Sequence, residues 1–358
     1  MTLTQSKSRL FETLKLSKFQ MRNRMVMAPM TRSRADDNGV PRDYVKTYYA
    51  QRSSAGLIIS EGTFPSAMGK GYVRTPGIYN PEQIAAWKQV TDAVHENGSF
   101  IFCQLMHAGR ISHRSFLPNN VLPLAPSAVK PVGQTFTDSG MLDFETPVAM
   151  SLAEIKNTMA EYRSAAKAAI AAGFDGVELH TASGYLPEQF LSSKTNLRTD
   201  EYGGSIENRA RFVIETLKEL IDEIGADRVG IKISPEMNFN DIADETPVET
   251  YSYLVKEINK LNLAYLHVAL FNPPNDYHSI LRPLFNGAYL AGGGFTKETG
   301  EAMLNENKAD AIVYGTAFLA NPDLPSRFAL GAELNEPDKK TFYMPSEKGY
   351  IDYPSISL

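Results

Sequence analysis

Residues 152–185, LAEIKNTMAEYRSAAKAAIAAGFDGVELHTASGY, contain the pattern from which the fold class of this chain can be predicted. Apolar residues recur at helical spacing from Leu152 to Ala172, and Gly173 then supplies a stop signal, so a helix is predicted over this span. A short β-rich apolar run follows at Gly176–His180, and it leads into polar, protic residues that are unsuited to a core strand. A helix that leads directly into a buried strand is typical of an α/β protein with parallel strands.

The same alternation continues in both directions along the chain. Eight β-rich apolar runs are mostly separated by segments with helical period, such as Pro81–Glu96, Ile206–Ile224 and Val248–Leu261. This pattern predicts a (β/α)8 TIM barrel. An open doubly wound sheet is the competing interpretation, although no GxGxxG follows the first strand. The predicted strands are Met25–Ala28, Leu57–Ser60, Phe100–Leu105, Gly176–His180, Val229–Ser234, Tyr265–Leu270, Ala288–Ala291 and Ala311–Tyr314.

Two segments depart from this repeat. Residues 111–150 are rich in proline and glycine and lack helical period, so we expect a long excursion between strands 3 and 4 that lies over the barrel mouth. Residues 333–358 are irregular but contain several aromatic side chains, and we expect this tail to pack back on the barrel. The whole chain, residues 1–358, is therefore interpreted as a single domain.

Composition and charge exclude several classes of function. The 358 residues include 36 basic and 41 acidic side chains, and the formal charge of −5 is too balanced for a nucleic-acid clamp or a polybasic membrane binder. The single cysteine, Cys103, excludes a disulfide framework and a cysteine zinc site. Residues 1–22 lack a signal-peptide pattern and no apolar run is long enough to span a membrane. We expect a cytoplasmic protein, monomeric or weakly homo-oligomeric, that acts on a small molecule.

Candidate chemistry lies at the C-terminal ends of the strands, where TIM barrels place their active sites. The polar residues there include no Asp or Glu cluster with metal-ligand spacing, so no metal is expected. Gly292–Gly294 and Gly315-Thr316 follow strands 7 and 8, the usual phosphate site of this fold, although a tight turn explains the first group about equally well. We therefore expect a phosphorylated ligand, with Lys232 as its nearest cationic partner.

Three residues after strand 4 indicate carbonyl chemistry. His180, Ser183 and Tyr185 occur together at this strand end. A lone histidine after a strand is more often structural than catalytic. A hydroxyl-bearing aromatic beside two short donors, however, can bind and protonate a carbonyl substrate.

Ordered motifs run along nearly the whole chain. They are Met27–Arg32 (MAPMTR), Tyr49–Arg52 (YAQR) with Ala55–Glu61 (AGLIISE), Gln104–Arg110 (QLMHAGR), Asp200–Arg209 (DEYGGSIENR) and Ala320–Leu324 (ANPDL). That many ordered motifs do not arise from a shared barrel alone. Together they resemble the old yellow enzyme family of FMN-dependent ene-reductases, especially the bacterial branch of pentaerythritol tetranitrate and N-ethylmaleimide reductases.

The resemblance implies an enzyme with non-covalent FMN that takes electrons from NADPH, or alternatively NADH, and reduces activated alkenes such as enones and maleimides. Quinones and nitro compounds are further candidate substrates. Tyr185 matches the proton donor, and His180 and Ser183 match the pair that holds the substrate carbonyl oxygen. Positions that match flavin contacts or strand-end phosphate contacts are Pro29, Met30, Thr31, Gly62, Gln104, Lys232, Gly292, Gly293, Gly294, Gly315 and Thr316, and Tyr72, Met106 and Tyr343 match the substrate pocket.

Four positions depart from the family pattern. Ser183 stands where His or Asn is usual, Lys232 replaces an Arg on strand 5, and Thr316 replaces an Arg after strand 8. Lysine keeps the charge but loses the planar fork of arginine, whereas threonine loses the charge. Met106 replaces a bulky aromatic, which should widen one wall. Two other interpretations stay open: a flavin-binding barrel with little turnover, and a flavin-free sugar-phosphate lyase or isomerase.

Overall fold

Eight parallel strands close into a barrel in the computed structural model, which describes residues 8–356. Each strand pairs with the next one along the chain, and the eighth pairs with the first. The predicted TIM barrel is therefore confirmed, and every predicted strand overlaps an observed one. The barrel strands, numbered 1 to 8, are Met25–Met27, Leu57–Ile59, Ile101–Leu105, Gly176–Thr181, Val229–Ile233, Tyr265–Ala269, Tyr289–Gly292 and Ala311–Tyr314.

Helices follow the barrel strands, and several begin at the capping residues that the sequence indicates. Ser151 and Glu154 form a reciprocal capping box, and the Asn80 side chain accepts a hydrogen bond from the backbone N–H of Gln83. No helix within residues 8–356 combines the length and hydrophobicity needed to cross a membrane. The helices are α1 Tyr44–Gln51, α2 Pro81–Glu96, α3 Leu152–Ala171, α4 Leu186–Leu191, α5 Ile206–Ile224, α6 Pro247–Ile258, α7 Tyr277–Leu281, α8 Lys297–Asn305, α9 Thr316–Ala320 and α10 Leu324–Leu330.

The alternation of side chains along strand 4 separates the hydrophobic core from the barrel interior. Val177 and Leu179 belong to the large apolar cluster that includes residues of the surrounding helices. Glu178 and His180 alternate with them and therefore face the interior. A hairpin of Leu14–Leu16 and Phe19–Met21 packs with interior residues from the starts of the strands, which fills the N-terminal end with apolar groups. The polar interior positions consequently lie toward the C-terminal end.

The segment between strand 3 and α3, residues 111–150, contains more regular structure than its composition indicates. Gln134–Thr137 and Gly140–Asp143 form an antiparallel hairpin, and Leu124–Ala125 pairs with Val148–Ala149. Three residues of the hairpin line the cavity at the barrel mouth: Gln134, Thr135 and Phe136.

The described part of the tail, residues 333–356, packs against the chain that follows strand 1. The Arg34 guanidinium donates hydrogen bonds to the backbone oxygens of Phe342 and Ser346 at 2.9 and 2.8 Å. Tyr350 is fully buried, and its ring stacks on Tyr48 with 3.9 Å between centroids. Residues 1–7 and 357–358, the two ends of the predicted domain, lie outside the described residues.

Candidate active site

A cavity of about 840 Å³ opens at the C-terminal end of the barrel. Its volume lies within the range of small-molecule sites. Phe144 from the excursion and Met344 from the tail contribute to its wall. Ten of the predicted site residues line this cavity: Pro29, Thr31, Tyr72, Gln104, Met106, His180, Ser183, Tyr185, Lys232 and Tyr343.

A buried network joins three barrel strands at the cavity. The Gln104 side-chain nitrogen donates to one oxygen of Glu178 at 2.8 Å, and the other oxygen lies 3.0 Å from Nδ1 of His267. All three side chains are almost completely buried. Because a carboxylate only accepts hydrogen bonds, Glu178 fixes which end of the Gln104 amide it meets. The amide oxygen of Gln104 is left to accept a hydrogen bond from a ligand.

Burial determines the protonation of the basic groups around the cavity. Burial lowers the pKa of His180 well below its usual value, and nearby Lys232 and His267 lower it further. Burial also lowers the pKa of Lys232, although the negative charge of Glu178 acts in the opposite direction and raises it. His180 is therefore neutral at pH 7, and its buried Nδ1 has no hydrogen-bond partner within residues 8–356. An unpaired buried atom of this kind is expected where a ligand or water completes the site.

Tyr185 has the properties of a proton donor. Its hydroxyl oxygen lies 2.9 Å from that of Tyr72, and its ring meets the His180 ring edge-on, with 4.9 Å between centroids. Burial raises the pKa of Tyr185 well above its usual value, and Tyr72 raises it further. Tyr185 therefore keeps its proton at neutral pH and can release it only to a strongly basic atom.

Ser183 occupies a strained position between His180 and Tyr185. Its φ of +59° lies in the left-handed region, which Gly and Asn adopt more readily than other residues. Its backbone N–H donates to Oγ of Ser234 at 2.9 Å, whereas its own hydroxyl meets Sδ of Met237 at 3.5 Å. Since a thioether is a weak acceptor, this contact leaves the hydroxyl loosely held.

The glycine-rich loops lie at the ends of strands 7 and 8. Gly293 and Gly294 have φ of +130° and +83°, and a Cβ on Gly293 would lie 1.9 Å from the backbone oxygen of Leu270. The tight turn that the sequence offered as an alternative is therefore present, and both glycines are exposed. Thr316, exposed at the start of α9, follows Gly315.

Lys232 and the glycine loops occupy different parts of the site. Lys232 lines the cavity together with His180, but none of the predicted strand-end glycines is among the described residues that line it. We therefore group Lys232 with His180 and Gln104 rather than with the loops. The sequence predicts Lys232 as the nearest cation to a phosphate, because sequence alone does not distinguish these two parts of the site.

Three further predicted residues have specific neighbours. A Cβ on Gly62 would lie 2.6 Å from Sδ of Met106, so the two positions are packed against each other. Sδ of Met30 would lie 3.7 Å from a Cβ on Gly315, which places Met30 near the end of strand 8. Tyr343 lines the cavity but is 63% exposed, so it lies at the rim.

Sequence reasoning missed several residues of the site. Glu178 and His267 were given no role in the site, although a charged side chain inside a buried strand is itself a signal. Asn240 lines the cavity from the loop after strand 5 and gives no periodic signal. Within residues 8–356, no cluster of three or more His, Cys, Asp or Glu side chains is arranged to hold a metal.

The fold and site define a TIM-barrel enzyme whose mouth combines a protonated tyrosine, a neutral histidine and a fixed amide. Residues 9–335 match the NADH:flavin oxidoreductase / NADH oxidase family. The chain is 45% identical over 343 residues, 93% of both proteins, to a probable flavin mononucleotide-dependent alkene reductase of Leishmania infantum. It is similar to the structure of morphinone reductase in complex with tetrahydroNAD, with a TM-score of 0.94 and 43% identity over 98% of each chain.

A second solved structure, the old yellow enzyme homologue from Zymomonas mobilis, has a TM-score of 0.94 and 37% identity over 96% of this chain and 99% of that one. The chain therefore belongs to the NADH:flavin oxidoreductase / NADH oxidase family. The predicted family, its FMN-dependent oxidoreductase class and its barrel are confirmed. The roles of individual residues stay predictions.

Proposed function

We propose that this protein reduces the C=C bond of activated alkenes, with non-covalent FMN as cofactor and NADPH as reductant. The single observation on which the proposal depends is the Tyr72–Tyr185 hydroxyl pair, 2.9 Å apart, beside neutral His180 in the cavity. The alkene reductase among the relatives supports the same reaction class. Family membership removes the flavin-free lyase or isomerase as a competing interpretation.

The residues at the barrel mouth fit FMN. The free oxygen of the Gln104 amide and the Thr31 hydroxyl would hold the polar edge of the ring, and Lys232 would place a positive charge near it. The backbone N–H groups of Gly293 and Gly294, two exposed residues, would hold the phosphate, since left-handed turns of this kind form concave anion sites. When bound, FMN supplies the hydride chemistry that the side chains lack.

The chain's own residues would orient and protonate the alkene. His180 and Ser183 would hold the oxygen of the activating carbonyl group. Negative charge develops on that oxygen as the β-carbon accepts a hydride, so hydrogen bonds to it strengthen in the transition state. The Tyr185 hydroxyl would donate its proton to the α-carbon, which leaves a saturated C–C bond.

The preference for NADPH is the finer part of the proposal. Arg74 and Lys340 line the cavity, and cations at this rim favour a dinucleotide with an additional phosphate. The morphinone reductase structure contains an NAD analogue, so NADH is the alternative reductant. We expect kcat/KM for flavin reduction to be higher with NADPH than with NADH, and the ratio to fall in Lys340→Ala.

The proposed function is tested by anaerobic turnover of the FMN-loaded protein with NADPH and 2-cyclohexenone, with cyclohexanone measured by gas chromatography. We expect one cyclohexanone for each NADPH oxidised. An FMN-bound protein that forms no cyclohexanone, and reduces no maleimide either, would instead be a flavin-binding barrel with little turnover.

A further inference from the structure

The loop after strand 5 brings Asn240 to the cavity that contains Tyr185. Asn240 has a left-handed φ of +56°, a conformation that asparagine tolerates well. Arg110, 1% exposed, holds this part of the loop by donating to the backbone oxygens of Asn240 and Asp241 at 3.4 and 2.5 Å. The Asn240 side chain is therefore presented to the cavity by a fixed backbone.

Asn240 connects the loop after strand 5 to the loop that contains Tyr185. Its amide nitrogen donates to the backbone oxygen of Ser183 at 2.8 Å, while the Ser183 N–H donates to Oγ of Ser234. Both backbone polar groups of the left-handed Ser183 are thus held from the strand-5 side. A Cβ on Gly184 would lie 2.8 Å from Cβ of Asn240, so the two loops are in close contact directly before Tyr185.

Asn240 lines the same cavity as the Tyr72 and Tyr185 pair. Burial is the main cause of the raised pKa of Tyr72 and of Tyr185, and the nearby Asn240 lowers the pKa of both residues against this effect. Asn240 can therefore affect the tyrosine pair through the backbone of Ser183 and Gly184, which it holds directly before Tyr185.

We propose that Asn240 is a positioning residue: it holds the backbone of Ser183 and Gly184 and so orients the Tyr185 hydroxyl for proton transfer to the substrate. The inference rests on the proposed alkene reduction and extends it to a loop to which the family motifs assign no role. The turn that Asn240 holds contacts the alkene substrate and its proton donor, so its loss should affect the half-reaction with the alkene and not the reduction of the flavin.

The experiment compares Asn240→Gly with Asn272→Gly in the FMN-loaded enzyme. Glycine keeps the left-handed backbone in both variants, and Asn272, φ +56°, is an exposed asparagine in the loop after strand 6. Stopped-flow absorbance measures flavin reduction by NADPH and flavin reoxidation by 2-cyclohexenone separately. The solvent deuterium isotope effect on reoxidation and the melting temperature are measured alongside.

We expect Asn240→Gly to slow reoxidation by 2-cyclohexenone about tenfold and to increase its solvent isotope effect, because a misoriented hydroxyl makes proton transfer limiting. Flavin reduction in Asn240→Gly should change less than twofold. In Asn272→Gly, the rates of flavin reduction and of reoxidation should both change less than twofold. Equal slowing of both half-reactions, or unchanged reoxidation, would overturn the role of Asn240. A wild-type enzyme that does not reduce 2-cyclohexenone would overturn the proposed function itself, and with it this role.

Discussion

The Gln104 side-chain nitrogen lies 2.8 Å from a carboxylate oxygen of Glu178, inside the barrel and out of contact with solvent. The contact fixes the orientation of an amide whose two ends are otherwise nearly alike in shape. A ligand at this wall therefore meets a hydrogen-bond acceptor, which matches an N–H at the edge of a flavin ring.

Glu178→Gln should weaken FMN binding about tenfold. A neutral amide no longer selects one orientation of Gln104, and a hydrogen bond to a charged group, worth about 1.5–3 kcal/mol, is replaced by a neutral one worth about 1 kcal/mol. Equilibrium titration of the apoprotein with FMN measures the change. Glu96→Gln, an exposed substitution at the end of α2, is the control and should leave the dissociation constant unchanged.

Ser183→Asn should raise kcat/KM for 2-cyclohexenone by roughly tenfold or more. Asparagine suits the left-handed backbone at this position and adds a longer donor for the carbonyl oxygen, and one such donor is worth about 2.7–4 kcal/mol in a transition state. N-ethylmaleimide, activated by two carbonyls, should change little. If the variant keeps FMN but loses activity on the enone, the serine hydroxyl is already well placed and the idea of a weakened carbonyl site fails.

Thr316→Arg should tighten FMN binding by about one to two decades. Thr316 is exposed at the first position of α9, directly after Gly315, and an arginine there adds a charged phosphate contact of about 1.5–3 kcal/mol. Equilibrium titration with FMN measures the effect. An unchanged or weaker constant would mean that another group already neutralises the phosphate.

Glu188→Gln should reduce the pH dependence of stability. Burial raises the pKa of Glu188 to about 7, although the O–H of Tyr251 and the N–H of Gly184 each donate to it at 2.5 Å. Between pH 4.5 and 7 the folded chain then holds a proton that the unfolded chain has lost, so wild-type stability falls as pH rises through this window.

The denaturant-derived free energy of unfolding of Glu188→Gln, minus that of the wild type, should therefore increase by up to about 3 kcal/mol across that range. Other buried acids such as Glu61 are present in both proteins and cancel in the difference. A difference that stays constant with pH would show that Glu188 is ionised in the folded protein throughout.

The barrel could be predicted because its determinants are local. Gly176–Thr181 contains enough apolar residues to be recognised as a buried strand, and the polar residues after it mark the strand end. His180, Ser183 and Tyr185 were therefore found as a group. The hairpin around Asp138-Ser139-Gly140 was missed, although its alternating pattern and turn residues were visible in the sequence.

The missing parts of the site depend on geometry that periodicity does not encode. Glu178 meets His267 because both side chains point into the closed barrel from strands 4 and 6, which are separated only by strand 5. Asn240 reaches Ser183 because two consecutive residues of its loop have positive φ, which no short sequence pattern specifies for Asn240-Asp241. Lys232 was predicted to contact a phosphate, because sequence order alone does not show how deep inside the barrel a side chain lies.

Stopped-flow analysis of Tyr185→Phe tests whether Tyr185 is the proton donor. The variant keeps the ring packed against His180 but lacks the hydroxyl that pairs with Tyr72. We expect flavin reduction by NADPH to stay within about twofold of wild type, while reoxidation by 2-cyclohexenone slows by about 10²–10⁴-fold, since only the alkene needs a proton. Equal slowing of the two half-reactions, or reoxidation at the wild-type rate, would contradict the assignment of Tyr185 as the proton donor.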